Sequence, residues 1–211
     1  ISASLVGSEM CIRDSLKSPR YVTPESIKNI VEKLPINIDK IGVFVNLEID
    51  LLSEIIINTK LNGIQLHGDE SPEFCHQLRQ LIPDNIEIIK ALRIKSPKDL
   101  TKTNLYENHV DTLLLDAYHP DKLGGTGQTL DWKILQEFHP TFPWLLAGGL
   151  TPENVTKAIQ QLILVSKPQI EFNNNFCGID LSSGVETAPG DKNLLKVKKL
   201  FDSLAKLRIK M

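Results

Sequence analysis

The chain has 211 residues, with 24 lysines and arginines against 26 aspartates and glutamates, so its formal net charge is −2. Such a balance offers no basic surface for nucleic acid or anionic lipid. No apolar run approaches the roughly 20 residues that span a bilayer. We therefore expect no nucleic-acid partner, no membrane contact and a cytoplasmic location.

The cysteines and histidines give no sign of a metal centre or of a disulfide framework. Cys11, Cys75 and Cys177 are odd in number and widely separated, which favours a reducing compartment. No cluster of His, Cys and Asp has the spacing of metal ligands. We expect a protein without a metal or another cofactor.

Helices and strands are predicted to alternate from about residue 24 onward. Thr23 is expected to cap a helix that Pro24 opens and Pro35 ends. Short apolar runs predict six strands, at residues 40–46, 63–68, 87–94, 112–117, 143–149 and 177–183. Helices are predicted at 48–60, 72–81 and 131–138, and others start near residues 96, 152 and 191. The polar, Asn-rich residues 167–175 are interpreted as a surface insertion.

This alternation predicts an α/β protein with a parallel sheet covered by helices. A doubly wound open sheet and a (β/α)8 TIM barrel both fit it. No G-x-G-x-x-G follows the first predicted strand, which disfavours a dinucleotide-binding sheet. Polar residues stand at the carboxyl end of strand after strand, as in barrel enzymes. We expect a TIM barrel in which about six βα units are recognisable.

Several polar side chains are predicted to face the inside of the barrel at its catalytic rim. Side chains alternate along a strand, so Gln65 and His67 share one face, and Asp180 and Ser182 share another. Asp116 ends a run of three leucines. Taken singly, each residue also has a purely structural interpretation. Asp116 could cap the following helix, His67 could be hydrogen-bonded to loop backbone, and Asp180 could be a structural hydrogen-bond acceptor. Their common position at strand ends favours a functional site.

Glycine-rich turns follow the last strands and suggest a phosphate site. The predicted loops contain Gly148 and Gly149 after one strand and Ser182, Ser183 and Gly184 after the next; Gly124, Gly125 and Gly127 follow an earlier strand. Glycine lets backbone N–H groups approach a phosphate closely. Barrels often bind phosphate at their two terminal loops. Plain turn glycines remain the alternative.

The motifs GIQLHGDE, LLLDAYHPDKLGGTGQTLDW, LLAGGLTPENV and GIDLSSGVETAPG resemble the phosphoribosylanthranilate isomerase family of tryptophan biosynthesis. The segment SPRYVTPE fits the same family, and the resemblance extends from about Lys17 to the C-terminus. It implies an aldose–ketose isomerase that carries out an Amadori rearrangement of a small phosphorylated substrate. The protein would be a monomer or a homodimer.

The resemblance also implies a role for each matching residue. Asp116 matches the general acid, and Arg20 matches the residue that binds the anthranilate carboxylate. Gln65, His67 and Asp180 match substrate-binding positions. The phosphate would be held by Gly148 and Gly149 together with Ser182, Ser183 and Gly184.

Residues 1–15 depart from the family pattern. The family begins with a strand that reads approximately K-I-C-G-I-T, and its cysteine is the general base. Cys11 lies in EMCIRDS, only nine positions before Arg20, where the family places a helix and a second strand. We hypothesise that residues 1–15 are a non-family segment, an artefact, before a truncated barrel domain at 16–211. The general base is then absent from this chain.

Two alternatives to an active isomerase remain. The first is a non-catalytic barrel fragment that retains only phosphate and anthranilate binding. The second is a related phosphate-binding barrel such as indole-glycerol-phosphate synthase, which needs a catalytic lysine at a strand end. Lys90 in EIIKALRI is the candidate for that lysine.

Overall fold

A computed structural model describes residues 10–13, 22–36, 38–116, 132–135, 138–163 and 175–208. The chain divides into two compact units. Unit 1 comprises Ile1–Leu92 and Thr103–Leu114, and unit 2 comprises Arg93–Lys102 and Leu115–Met211. Among the described residues, no helix combines the length and the apolar character needed to cross a membrane.

Helices and strands alternate along most of the described chain. The strands are β1 (Met10–Arg13), β2 (Ile41–Val45), β3 (Gly63–Leu66), β4 (Glu87–Arg93), β5 (Thr112–Asp116), β6 (Trp144–Ala147), β7 (Phe176–Ile179), β8 (Glu186–Ala188) and β9 (Asp191–Lys192). The α-helices are α1 (Pro24–Val31), α2 (Ile49–Thr59), α3 (Pro72–Leu81), α4 (Val155–Ile163) and α5 (Leu194–Arg208). Three 3-10 helices occupy Pro97–Tyr106, Trp132–Leu135 and Ser183–Val185.

Unit 1 is built on parallel strands that pair in chain order. Strand β1 pairs with β2, β2 with β3, and β3 with β4, all parallel. The register places Gln65 beside Ile89 and Leu66 beside Lys90. All four residues of β3 are buried, so both faces of this strand are covered. Such double burial is typical of a parallel sheet in an α/β protein.

Unit 2 contains a second parallel pair and a small hairpin. Strands β6 and β7 are parallel, with a register shift between Trp144 and Leu145. Strands β8 and β9 form an antiparallel pair. A cluster around Val155, Val185 and Leu200 packs α4 and α5 together with the segment after β7.

The six strands predicted from the sequence are all confirmed, as is the start of α1. The side chain of Thr23 accepts a hydrogen bond from the Ser26 N–H at 3.2 Å, the expected N-cap geometry. Ser71 caps α3 in the same way. Strand β1 and the β8–β9 hairpin were not predicted. The predicted insertion at 167–175 lies outside the described residues except for Asn175.

Two predicted α-helices are 3-10 helices instead, over Pro97–Tyr106 and Trp132–Leu135. In the first, the Asp99 carboxylate accepts the N–H groups of Lys95 and Ser96, and the Thr101 hydroxyl donates to the carbonyl of Lys98. Short polar and β-branched side chains compete with α-helical hydrogen bonds in this way. The helix predicted to start at 152 begins at Val155, after a turn.

Candidate active site

Gln65 and His67 lie together at the end of β3 in unit 1, as the alternation predicted. His67 Nδ1 is 2.8 Å from Gln65 Oε1, and Gln65 is 4% exposed. The backbone N–H of His67 donates to the carbonyl of Phe44 at 2.8 Å. The imidazole is therefore oriented by the Gln65 side chain, and the backbone of His67 is held by the neighbouring strand β2.

A buried lysine, Lys90, contacts the backbone on either side of His67. The Lys90 side chain is 1% exposed, and its Nζ lies within 3.1 Å of the carbonyls of Leu66, Gly68 and Ala91 and of the Glu70 carboxylate. An ammonium group has three protons, so each has an acceptor here. Because each proton of the Lys90 ammonium has a hydrogen-bond acceptor, the charged group can be accommodated in the interior.

The Glu70 carboxylate is the counter-charge of Lys90 and also binds backbone N–H groups. It accepts from Asn46 N at 2.8 Å and from Gly68 N at 3.2 and 2.9 Å through its two oxygens. A Cβ at Gly68 would lie 2.2 Å from Asn46 Oδ1, so only glycine allows this approach. The ends of β2 and β3 are therefore joined through one carboxylate.

Tyr106 closes the other side of this cluster. Its hydroxyl donates to the carbonyl of Glu70 at 2.9 Å. Burial is the main reason that the pKa of Tyr106 is raised to about 12. The hydroxyl is therefore protonated at neutral pH and remains a hydrogen-bond donor.

In unit 2, Asp116 is the last residue of β5 and is half-buried. Its backbone carbonyl accepts from the Ile94 N–H at 2.9 Å. The preceding residues Leu113, Leu114 and Leu115 are at most 1% exposed. Asp116 thus ends a strand in which the three preceding residues are apolar and buried, and it stands where the sequence predicted it.

The two predicted phosphate loops of unit 2 touch each other. A Cβ at Gly184 would lie 2.0 Å from the carbonyl oxygen of Leu150, so the loop after β7 lies directly against the loop after β6. Gly148 and Gly149 have φ angles of 89° and 63°, which glycine adopts without strain. Asn154 stabilises the first loop by donating to the Gly149 carbonyl at 2.9 Å.

Ser182 in the second loop is held by an ion pair. Lys192 Nζ lies 3.2 Å from Ser182 Oγ and 3.0 Å from Glu186 Oε1. The Ser182 hydroxyl donates to the same carboxylate oxygen at 3.3 Å. Asp180, just before this loop, donates its backbone N–H to the Leu146 carbonyl at 2.8 Å. These contacts fix the chain where β7 ends.

Comparison with known proteins identifies the family. The family model for N-(5'-phosphoribosyl)anthranilate isomerase matches residues 3–203. The chain is 81% identical over 198 residues to the N-(5'-phosphoribosyl)anthranilate isomerase of Trichodesmium erythraeum, covering 92% of this chain and 86% of the relative. The chain belongs to the phosphoribosylanthranilate isomerase family.

Solved structures of phosphoribosylanthranilate isomerases have a fold similar to that of this chain. One, in complex with reduced 1-(o-carboxyphenylamino)-1-deoxyribulose 5-phosphate, has a TM-score of 0.74 and 28% identity and covers 94% of this chain and 86% of its own. Another, of monomers of the dimeric isomerase from Thermotoga maritima, has a TM-score of 0.71 and 28% identity and covers 92% and 83%. The predicted TIM-barrel fold class and the predicted family are thus confirmed.

Family membership disfavours the alternative in which Lys90 is catalytic. The indole-glycerol-phosphate synthase interpretation needs this lysine as a catalytic group. The long match to phosphoribosylanthranilate isomerases is evidence against that interpretation. The geometry agrees, because the Lys90 ammonium is enclosed by oxygen acceptors of its own chain.

Some predicted site residues lie outside the described part of this isomerase. These are Arg20 and the glycines of the loop after β5 (Gly124, Gly125 and Gly127). The hypothesis about residues 1–15 concerns a segment in which only β1 is described, and the family match begins within it at residue 3. The general base and the domain boundary at residue 15 therefore stay predictions.

No pattern in the sequence marked Glu70, Glu186 or Lys192 as functional residues. A lysine within the apolar run EIIKALRI was the available signal for a buried ion pair, since lysine is almost never fully buried without a partner. Nothing in the sequence pattern indicated which acidic residue would be that partner.

Proposed function

We propose that this chain catalyses the Amadori rearrangement of N-(5-phosphoribosyl)anthranilate to 1-(2-carboxyphenylamino)-1-deoxyribulose 5-phosphate in tryptophan biosynthesis. The observation that carries the proposal is the family match over residues 3–203. The reaction needs an acid that protonates the furanose ring oxygen as the ring opens, and a base that removes the proton at C2′. The enol-amine formed then becomes the ketose.

Asp116 is the proposed general acid. It is half-buried at the carboxyl end of β5, and catalytic residues of barrel enzymes stand at such strand ends. Its carboxylic acid would give its proton to the ring oxygen of the substrate. The buried leucines that precede it would restrict water on that side and favour directed proton transfer.

The remaining roles concern substrate binding and are proposed residue by residue. Arg20 would bind the anthranilate carboxylate through its planar guanidinium group. Gln65, His67 and Asp180 would bind the sugar and its substituents. The backbone N–H groups around Gly148, Gly149, Ser182, Ser183 and Gly184 would hold the phosphate; the contact between Gly184 and Leu150 supports a shared phosphate loop.

Replacing Asp116 by Asn tests the assignment of the acid. We expect turnover to fall by a factor of about 100 or more. Turnover is measured from the decrease in substrate fluorescence. Affinity for the reduced product analogue should change little, because the side chain keeps its size. Asp202→Asn, at an exposed position of helix α5, is the matched control and should leave turnover unchanged. Full turnover in Asp116→Asn would refute the assignment.

Binding and turnover measured on the unmodified chain distinguish an isomerase from the alternative, a fragment that only binds its ligand. Such a fragment would bind the reduced product analogue in calorimetry and show no turnover. An isomerase would show both. The cytoplasmic location and the state as monomer or homodimer are further proposals, and light scattering on the purified chain measures the latter directly.

Cys11 is proposed not to be the general base. A chain without its general base should turn over about a hundredfold or more slowly than a complete isomerase. Cys11→Ser should leave that residual rate unchanged, whereas Asp116→Asn should lower it further. Loss of turnover in a folded Cys11→Ser variant would assign the base to Cys11 and would contradict the hypothesis that residues 1–15 are an artefact. Sequencing the locus upstream of the codon for Ser18 tests that hypothesis independently: an open frame for a K-I-C-G-I-T-like strand would support it.

A further inference from the structure

The peptide carbonyls on both sides of His67 bind the same ammonium group. Lys90 Nζ lies 3.1 Å from the Leu66 oxygen and 2.9 Å from the Gly68 oxygen. Those two carbonyls belong to the residues immediately before and after His67. One cation therefore restrains the backbone on each side of the imidazole.

The negatively charged Glu70 carboxylate restrains the same backbone segment, next to His67. Both of its oxygens accept the Gly68 N–H, at 3.2 and 2.9 Å, and one of them lies 3.0 Å from Lys90 Nζ. The carboxylate also accepts the Asn46 N–H at the end of β2. The turn that follows His67 is thereby fixed to two neighbouring strands.

The burial of Lys90 and Glu70 is weak evidence that the pair contributes net stability. Both side chains are at most 2% exposed. Desolvation of two charges offsets most of their attraction, and replacing a buried ion pair by neutral side chains of similar volume is often tolerated. What neutral side chains do not reproduce is the set of charge-assisted bonds to Leu66, Gly68 and Asn46.

We propose that Lys90 and Glu70 are positioning residues that hold the His67 imidazole in its orientation toward the substrate. The inference rests on the proposed role of His67 in binding the phosphoribosyl substrate. The chain of contacts runs from the ion pair to the two flanking peptide groups, and from there to a ring that Gln65 orients at 2.8 Å. Neither Lys90 nor Glu70 has to touch substrate for this.

The test removes both charges together, in Lys90→Met/Glu70→Gln, so that no unpaired ion is left in the interior. We expect kcat/KM to fall by about a hundredfold, the effect of misplacing a binding group by about 1 Å. The 15N resonances of the His67 ring should also shift, because the ring is no longer held in one orientation and one tautomer. Leu78→Ala, at a buried position of helix α3, is the control for general destabilisation and should leave KM and these resonances unchanged.

A double-mutant cycle separates positioning from a general structural effect. If the ion pair acts through His67, the double substitution should have little further effect on kcat/KM in a His67→Ala background. An equal loss in both backgrounds would overturn the proposal. Unchanged kcat/KM together with unchanged His67 resonances in the double variant would overturn it as well.

Failure of the proposed function gives a different pattern. In that case the unmodified chain does not turn over the substrate at all. The ion pair is then judged by the His67 resonances and by affinity for the reduced product analogue in the same variants. A shift in the resonances and weaker binding would support positioning; no change in either would refute it.

Discussion

Glu70 and Lys90 form an ion pair with 3.0 Å between Oε2 and Nζ, and their side chains are only 2% and 1% exposed. Removing one partner of such a pair leaves an uncompensated charge in the interior. Lys90→Met should therefore lower the free energy of unfolding by about 3–5 kcal/mol, measured by urea denaturation. Lys90→Met/Glu70→Gln should be clearly more stable than Lys90→Met.

The exposed pair Lys198–Asp202 provides the comparison for this measurement. Its side chains are 73% and 56% exposed, and such pairs contribute at most about 1 kcal/mol. Lys198→Met should therefore change stability little. An equally small effect of Lys90→Met would mean that water or rearrangement compensates the buried carboxylate.

Gly184→Ala should disrupt the contact between the two loops of unit 2. The new Cβ would lie 2.0 Å from the Leu150 carbonyl oxygen, so one of the two backbones has to move. We expect a loss of about 1–3 kcal/mol in stability and weaker binding of the reduced product analogue in calorimetry. Gly178→Ala in β7 is the control, since its Cβ would meet only Leu145 Cδ2 at 3.3 Å. Equal affinity of Gly184→Ala and the unmodified chain would contradict the assignment of this loop to phosphate.

Glu153 should titrate well below an ordinary glutamate. The hydrogen bond from Lys199 is the main reason that its pKa is lowered to about 2, with a smaller contribution from Thr151. Because the folded-state pKa lies below the usual 4.5, its contribution to stability is present above about pH 4.5. That contribution disappears as the pH falls toward 2. It is small, since both side chains are 59% exposed.

Carboxyl 13C shifts measured between pH 6 and 2 report this pKa directly. Lys199→Met should raise it toward 4.5, whereas Lys206→Met, on the same helix, should leave it unchanged. A normal pKa for Glu153 in the unmodified chain would show that the contact with Lys199 is not kept in solution.

Cys75 should resist alkylation while the protein is folded. It is 0% exposed, and burial raises the pKa of its thiol to about 12. Because the folded-state pKa lies above the usual 9.0, the thiol ionises on unfolding, and stability falls as the pH rises above about 9. Iodoacetamide followed by peptide mass spectrometry should label exposed Cys177 in the native protein and Cys75 only in denaturant. Similar labelling rates for both in the native state would contradict the burial of Cys75.

The apolar runs and the turn residues were sufficient to predict six strands and the N-cap of α1, and the resemblance of the long motifs predicted the family. Period-two alternation also placed Gln65 and His67 on the same face of β3, and their contact confirms it. Local signals were insufficient at Pro97–Tyr106, where side-chain hydrogen bonds of Asp99 and Thr101 favour a 3-10 helix. They also did not reveal the β8–β9 pair, because two such short strands carry almost no periodicity.

The sequence by itself determined which residues are apolar, which face of a strand each side chain occupies, and which motifs mark the isomerase family. Only the tertiary structure decided that Lys90 pairs with Glu70 and that both bind the peptide groups around His67. Residues 20 positions apart meet here because the register between β3 and β4 places Lys90 beside Leu66. Alternation along one strand specifies a face, whereas a partner on another strand depends on how the strands are aligned.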